Sequence, residues 1–125
     1  MIKITISLPP ITKKNHQQIY RNSKTGKPFV TQSKAYKDYQ ESAGYFIPCK
    51  YMMIAKPVNV KAIYYMPTRR KVDLCNLHAA LHDILVHYGV LEDDNSQIIV
   101  STDGSRVGYD KENPRTEIII QKMEG

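Results

Sequence analysis

Two rhythms of apolar residues organise the chain. Near the start, Ile2, Ile4 and Ile6 alternate with Lys3, Thr5 and Ser7. That period of two marks a strand with one buried face, expected over residues 2–8 and ended by Pro9-Pro10. The alternation returns over residues 57–66, where Val58, Val60, Ala62 and Tyr64 oppose Asn59, Lys61, Ile63 and Tyr65. Helical spacing appears twice. Ala35, Tyr36, Tyr39, Ala43 and Phe46 recur at threes and fours behind Ser33, a natural N-cap, so a helix is expected over residues 34–46 with Ile47-Pro48 as its stop. Leu74, Leu77, Leu81, Ile84, Leu85 and Tyr88 form a second stripe, opened by Asp73 in the cap position and closed by Gly89.

Between these elements, residues 18–21 and 28–31 can pair across a Lys-Thr-Gly-Lys-Pro turn, and residues 97–102 and 115–121 read as further strands. Asp103-Gly104 begins a long polar connection. No repeat, low-complexity segment or internal boundary interrupts the 125 residues, so one domain over 1–125 is expected. The fold class is α+β: a sandwich with a mixed four- to five-stranded sheet and two main helices on one face.

Composition sharpens this picture little. No apolar run reaches the length of a membrane span, and the first ten residues alternate like a strand rather than reading as a signal peptide. Cys49 and Cys75 lie in no CxxC or metal-knuckle spacing, which fits two free thiols in a reducing cytoplasm. Charge changes more. Residues 1–72 carry 14 Lys/Arg against two acids, a balance of +12, whereas residues 73–125 carry four against ten, a balance of −6. A cationic half beside an anionic half suits a polyanion partner and a specialised acidic site, although charge complementarity within one domain or across a dimer would leave the same trace. Lys13, Lys14, Arg21, Lys24 and Lys27 crowd one polar segment and could neutralise nucleic-acid phosphates without reading bases.

The chemistry concentrates in residues 66–98. Arg69, Arg70 and Lys71 lead to Asp73, the second helix follows, and then come Glu92, Asp93 and Asp94. Structurally, Asp73 is a helix cap and the acidic triplet a solvated turn. Functionally, adjacent like charges suit a divalent cation: Mg²⁺ takes oxygen ligands and typically uses one or two carboxylates plus substrate phosphates. Asp73 with Asp93 or Asp94 would supply that minimum, and the basic run would hold flanking phosphates. Asp83 is expected to face water or make a structural bond. His78 and His82 stand at i and i+4, a spacing that chelates transition metals, but no third ligand is evident nearby.

The run M-P-T-R-R-K-V-D-L-C-N-L, then G-V-L-E-D-D-N-S-Q-I after the helix, resembles the RusA-like Holliday-junction resolvases of bacteria and prophages. The early P-P-I-T-K-K-N is similar to their N-terminal pattern. The resemblance implies a small homodimer that binds branched DNA, a four-way junction, by its backbone and cuts two strands symmetrically with Mg²⁺ or Mn²⁺. No small-molecule cofactor and no membrane partner are expected. It places the catalytic and metal-binding aspartates on Asp73 and Asp94, with Asp93 the competitor, and leaves Asn76 and Glu92 in support. Two departures stand out. Cys75 replaces the second aspartate of the family's D-L-D-N, and Ala79 replaces the lysine of the next helical turn. A thiol is a poor ligand for a hard cation, so a branched-DNA-binding homologue with weakened catalysis is the alternative.

Overall fold

The computed structural model describes residues 1–12, 17–21, 28–32 and 34–123, the second and third of these segments by their backbone alone. The order is β1 (Ile2–Ile6), β2 (Gln17–Arg21), β3 (Pro28–Gln32), α1 (Lys34–Ala43), β4 (Val58–Met66), α2 (Leu74–His87), β5 (Ile99–Ser101), β6 (Arg106–Tyr109) and β7 (Arg115–Lys122). A mixed five-stranded sheet carries both helices in one α+β domain, as the periodicity predicts. β4 is its spine. On one side it pairs antiparallel with β7, which pairs antiparallel with β1. On the other it pairs parallel with β5 at its beginning and with β6 at its end. β2 and β3 form a separate antiparallel hairpin.

The alternation read from the sequence decides which face is buried. Ile4, Ile6, Val58, Val60, Ala62, Tyr64, Ile118 and Ile120 point inward against Leu77, Leu81, Ile84 and Leu85 of α2 and Ala43 of α1. The intervening Lys3, Thr5, Lys61 and Glu117 lie on the opposite face, fully or partly exposed. Among the described residues, no helix is long and apolar enough to cross a membrane.

Three expectations need correction. Helix α1 stops at Ala43, and Gly44–Phe46 continues as a 3-10 turn. The strand expected over 97–102 shortens to Ile99–Ser101, because the amides of Ile98 and Ile99 both turn back to the carbonyl of Asn95 (3.0 and 2.9 Å). The polar connection after Gly104 contains a strand, β6, paired along the exposed edge of β4.

Gly89 ends α2 as the sequence suggests. It sits at φ +69°, its amide bonds to Val86 O (3.0 Å) and the Val90 amide to Leu85 O (2.9 Å), the paired bonds of a Schellman cap. A Cβ here would meet the Tyr51 backbone at 3.2 Å. Gly89→Ala is therefore expected to cost about 1–2 kcal/mol, read as a lower urea midpoint with an unchanged slope.

Candidate metal and nucleic-acid site

Asp73 caps α2 with extended backbone (φ −88°, ψ 118°), and its Oδ1 accepts the amide of Cys75 at 3.0 Å. The residue thus performs the structural job expected of an N-cap. Asp73, Cys75 and Ala79 are exposed, as are Arg69, Arg70 and Lys71 on the approach, while Asn76 is partly buried. The basic run and the cap carboxylate therefore share one accessible region at the end of β4. Lys13, Lys14, Lys24 and Lys27 lie outside the described residues, as does Ser33, and of Arg21 only the backbone, on β2, is described.

The acidic turn is ordered by its own side chains. Asp93 Oδ1 accepts the amide of Asp94 (2.8 Å), and Asp93 Oδ2 accepts Nδ2 of Asn95 (3.0 Å). The Asp94 amide, helped by Asn95, holds the Asp93 carboxyl below the usual carboxylate range. Asp94 enters this pattern through its backbone amide. Glu92, Asp93 and Asp94 are all exposed.

The two groups connect to different ends of β4. Asp73 follows the link that leaves Met66, the last residue of the strand. Helix α2 then runs back across the sheet, with His78 Nδ1 against the Tyr64 hydroxyl at 2.7 Å. The acidic turn lies beyond the far end of α2. There the Glu92 amide bonds to Ile54 O (2.9 Å), and Ile98 O accepts the amide of Val58, the first residue of β4 (2.7 Å). The strand has nine residues, a span of roughly 26 Å at ordinary strand rise. The acidic turn is thus tied to the start of β4, whereas Asp73 follows the link from its end. Among the described residues, no group of three or more His, Cys, Asp or Glu side chains is arranged to hold a metal ion.

The donor types still suit a hard cation. Asp73 has a second carboxylate oxygen beyond the one used in capping, and the acidic turn offers further exposed carboxylates. The exposed thiol of Cys75 does not fit such an ion. His78 and His82 stack nearly parallel, with centroids 5.4 Å apart, and the buried Nε2 of His82 makes no hydrogen bond.

Two tyrosines near the site escaped sequence reasoning. Tyr64 was legible as core, but its hydrogen bond to His78 was not. Tyr109 carries Arg69 over its ring and belongs to the unforeseen strand β6. Its signal is only the short alternation of Arg106, Val107, Gly108 and Tyr109.

No curated protein matches the chain. A family model does: that of the endodeoxyribonuclease RusA, matched over residues 7–121, from the end of β1 almost to the end of β7. RusA enzymes are divalent-metal-dependent endonucleases that act on branched DNA and resolve Holliday junctions. The match covers nearly the whole chain and takes in the basic run, the capping aspartate and the acidic turn together; the chain belongs to the RusA endodeoxyribonuclease family.

Proposed function

We propose that this chain is a Mg²⁺- or Mn²⁺-dependent Holliday-junction endonuclease of DNA recombination and repair. It works in the cytoplasm of a bacterium, encoded there or in a prophage, as a homodimer, with each site built from two copies. Asp73 of one copy and Asp94 of the other hold the ion, with Asp93 and Glu92 beside them and Asn76 in support. The observation that carries this reading is the placement of exposed Asp73 two residues after the exposed cations of residues 69–71. In this reading, carboxylates that connect to opposite ends of β4 are brought together when two copies lie antiparallel about a two-fold axis. That arrangement generates two equivalent sites, as paired cutting of two strands requires.

Each residue then has a defined task. Arg69, Arg70 and Lys71, with Lys13, Lys14, Arg21, Lys24 and Lys27, neutralise backbone phosphates and place the strand. Asp73 is oriented by its bond to the Cys75 amide, which leaves its other oxygen for the site. Asp93 uses both oxygens to shape the turn, which favours Asp94 as the ligand. A bound divalent ion supplies positive charge against the phosphoryl oxygen and acidifies a water.

The test is a cleavage assay on a four-way junction with Mg²⁺ or Mn²⁺. Paired nicks in opposing strands support the reading, and tight binding without cutting at any metal concentration overturns it. A catalytically weakened branched-DNA-binding homologue is the second reading, favoured by the solvent-facing Cys75 and Ala79 at positions where the family carries an acid and a lysine. Cys75→Asp restores a hard ligand one residue beyond the first helical position. It is expected to raise the cleavage rate about tenfold, the scale of a group that tunes metal affinity. An unchanged rate would show that another residue already fills the role.

A further inference from the structure

The basic run is tied to the sheet at one point. The Arg69 guanidinium lies over the ring of Tyr109, 4.2 Å from its centroid. Tyr109 ends β6 in register with Met66, the last residue of β4, and the next amide, that of Asp110, donates to Met66 O at 2.9 Å. The ring therefore stands where the link to Asp73 leaves the sheet.

The strand end beneath Tyr109 is itself braced. Asp110 Oδ2 accepts from Arg115 Nη1 at 2.8 Å, and Arg115 lies over Tyr65 at 4.0 Å while bonding Glu117 at 2.8 Å. Tyr109 remains 40% exposed, although a tyrosine serving only as core would be covered. Among the described residues, no such ring contact is found for Arg70 or Lys71.

The chemistry of the contact gives it a use. Arginine has a long side chain with much rotamer freedom, and holding it in one pose before binding removes that cost from association. A contact with an aromatic face occupies none of the guanidinium N–H donors with a hydrogen-bond acceptor. Those donors form the fork that takes a phosphate in two parallel bonds. An arginine ordered in this way differs from the free, solvated cation that a basic run ordinarily supplies.

We propose that Tyr109 is a positioning residue for branched DNA. It holds the Arg69 guanidinium over its ring at the entrance to the candidate site, so that the guanidinium N–H groups receive a backbone phosphate. This rests on the reading of residues 69–71 as DNA-contacting cations. Tyr109 itself need not touch the nucleic acid.

The test is binding of the full-length protein to a fluorescent four-way junction without divalent metal, across a salt series. Tyr109→Phe keeps the ring and should bind like the parent. Tyr109→Leu should bind about 3- to 5-fold more weakly with the parent's salt dependence, because no charge is lost. Arg69→Gln should weaken binding and lower the slope of log affinity against log salt by about one. In the Arg69→Gln background, Tyr109→Leu should cost nothing more. Arg69→Lys, which leaves β6 intact, guards against misfolding of the leucine variant and should bind more weakly with an unchanged slope. Parent-like binding by Tyr109→Leu, or an equal loss in the Arg69→Gln background, overturns the positioning role alone. Parent-like affinity and slope in Arg69→Gln overturn Arg69 as a DNA-contacting cation, the reading on which it rests.

Discussion

A mixture of Asp73→Asn and Asp94→Asn proteins is expected to nick four-way junctions that neither variant cuts alone. Each substitution removes an anionic oxygen from both sites of its homodimer. Cleavage by either pure variant should fall on the order of 100-fold or more, the scale of losing one main electrostatic contributor to a transition state. Junction binding should survive, and should tighten for Asp94→Asn because a negative charge near phosphate is gone.

Mixed dimers behave differently if the sites are shared. In such a dimer one site combines both substitutions, and the other combines the intact Asp73 of one copy with the intact Asp94 of the other. Random exchange makes half the dimers mixed, and each carries one working site. Nicking should therefore return to about a quarter of the parent rate, mostly in one strand rather than as paired cuts. A site contained within each chain would give no recovery, because every protomer carries a lesion. The expectation comes from the anchoring of Glu92 at Ile54 and of Ile98 at Val58, while Asp73 follows the opposite end of β4. No recovery, under conditions where tagged copies are shown to exchange, would end the two-copy arrangement. A full-rate Asp94→Asn protein would move the ligand role to Asp93.

The features legible in the chain were those set by near neighbours in sequence. Asp73 was identifiable as a cap, and Gly89 as a terminator, because capping involves only the adjoining turn. The long strand β4 and the stripe of α2 were legible because a buried face imposes its period over many residues. Strand β6 was not, since its four residues sit between Gly104 and the Asp110 turn and gain their hydrogen bonds from β4, some 40 positions earlier. The tie of the acidic turn to the start of β4 was hidden for the same reason. It depends on the bonds of Glu92 to Ile54 and of Val58 to Ile98 and on the parallel register of β5, none of which leaves a local pattern. The contact of Arg69 with the Tyr109 ring inherits this dependence on β6.

Acid is expected to weaken the fold between pH 6.5 and about 4, before most carboxylates titrate, and His82 is the main cause. Burial, and then the neighbouring His78, lower its pKa from 6.5 to about 4. Burial lowers His78 as well. The two rings lie 5.4 Å apart and nearly parallel, so a proton on one disfavours a proton on the other. Burial raises the pKa of Tyr64, so its hydroxyl stays protonated and can donate to His78 Nδ1. For a base whose folded pKa lies below its unfolded value, the unfolded chain takes up the proton first. Stability is then full above pH 6.5, falls as the pH drops toward 4, and levels off below. The gap for His82 corresponds to about 3 kcal/mol at most, and partial exposure of the ring brings the expected loss nearer 2 kcal/mol. Urea midpoints measured from pH 8 to pH 4 should show this decline in the parent, and His82→Leu should flatten it. Asp93 and Asp110, whose pKa values are lowered by hydrogen bonds, contribute only at the acid end of the range and are unaffected by that substitution. A parent midpoint that stays level between pH 7 and pH 5, or an equal slope in His82→Leu, would remove the histidine pair as the cause.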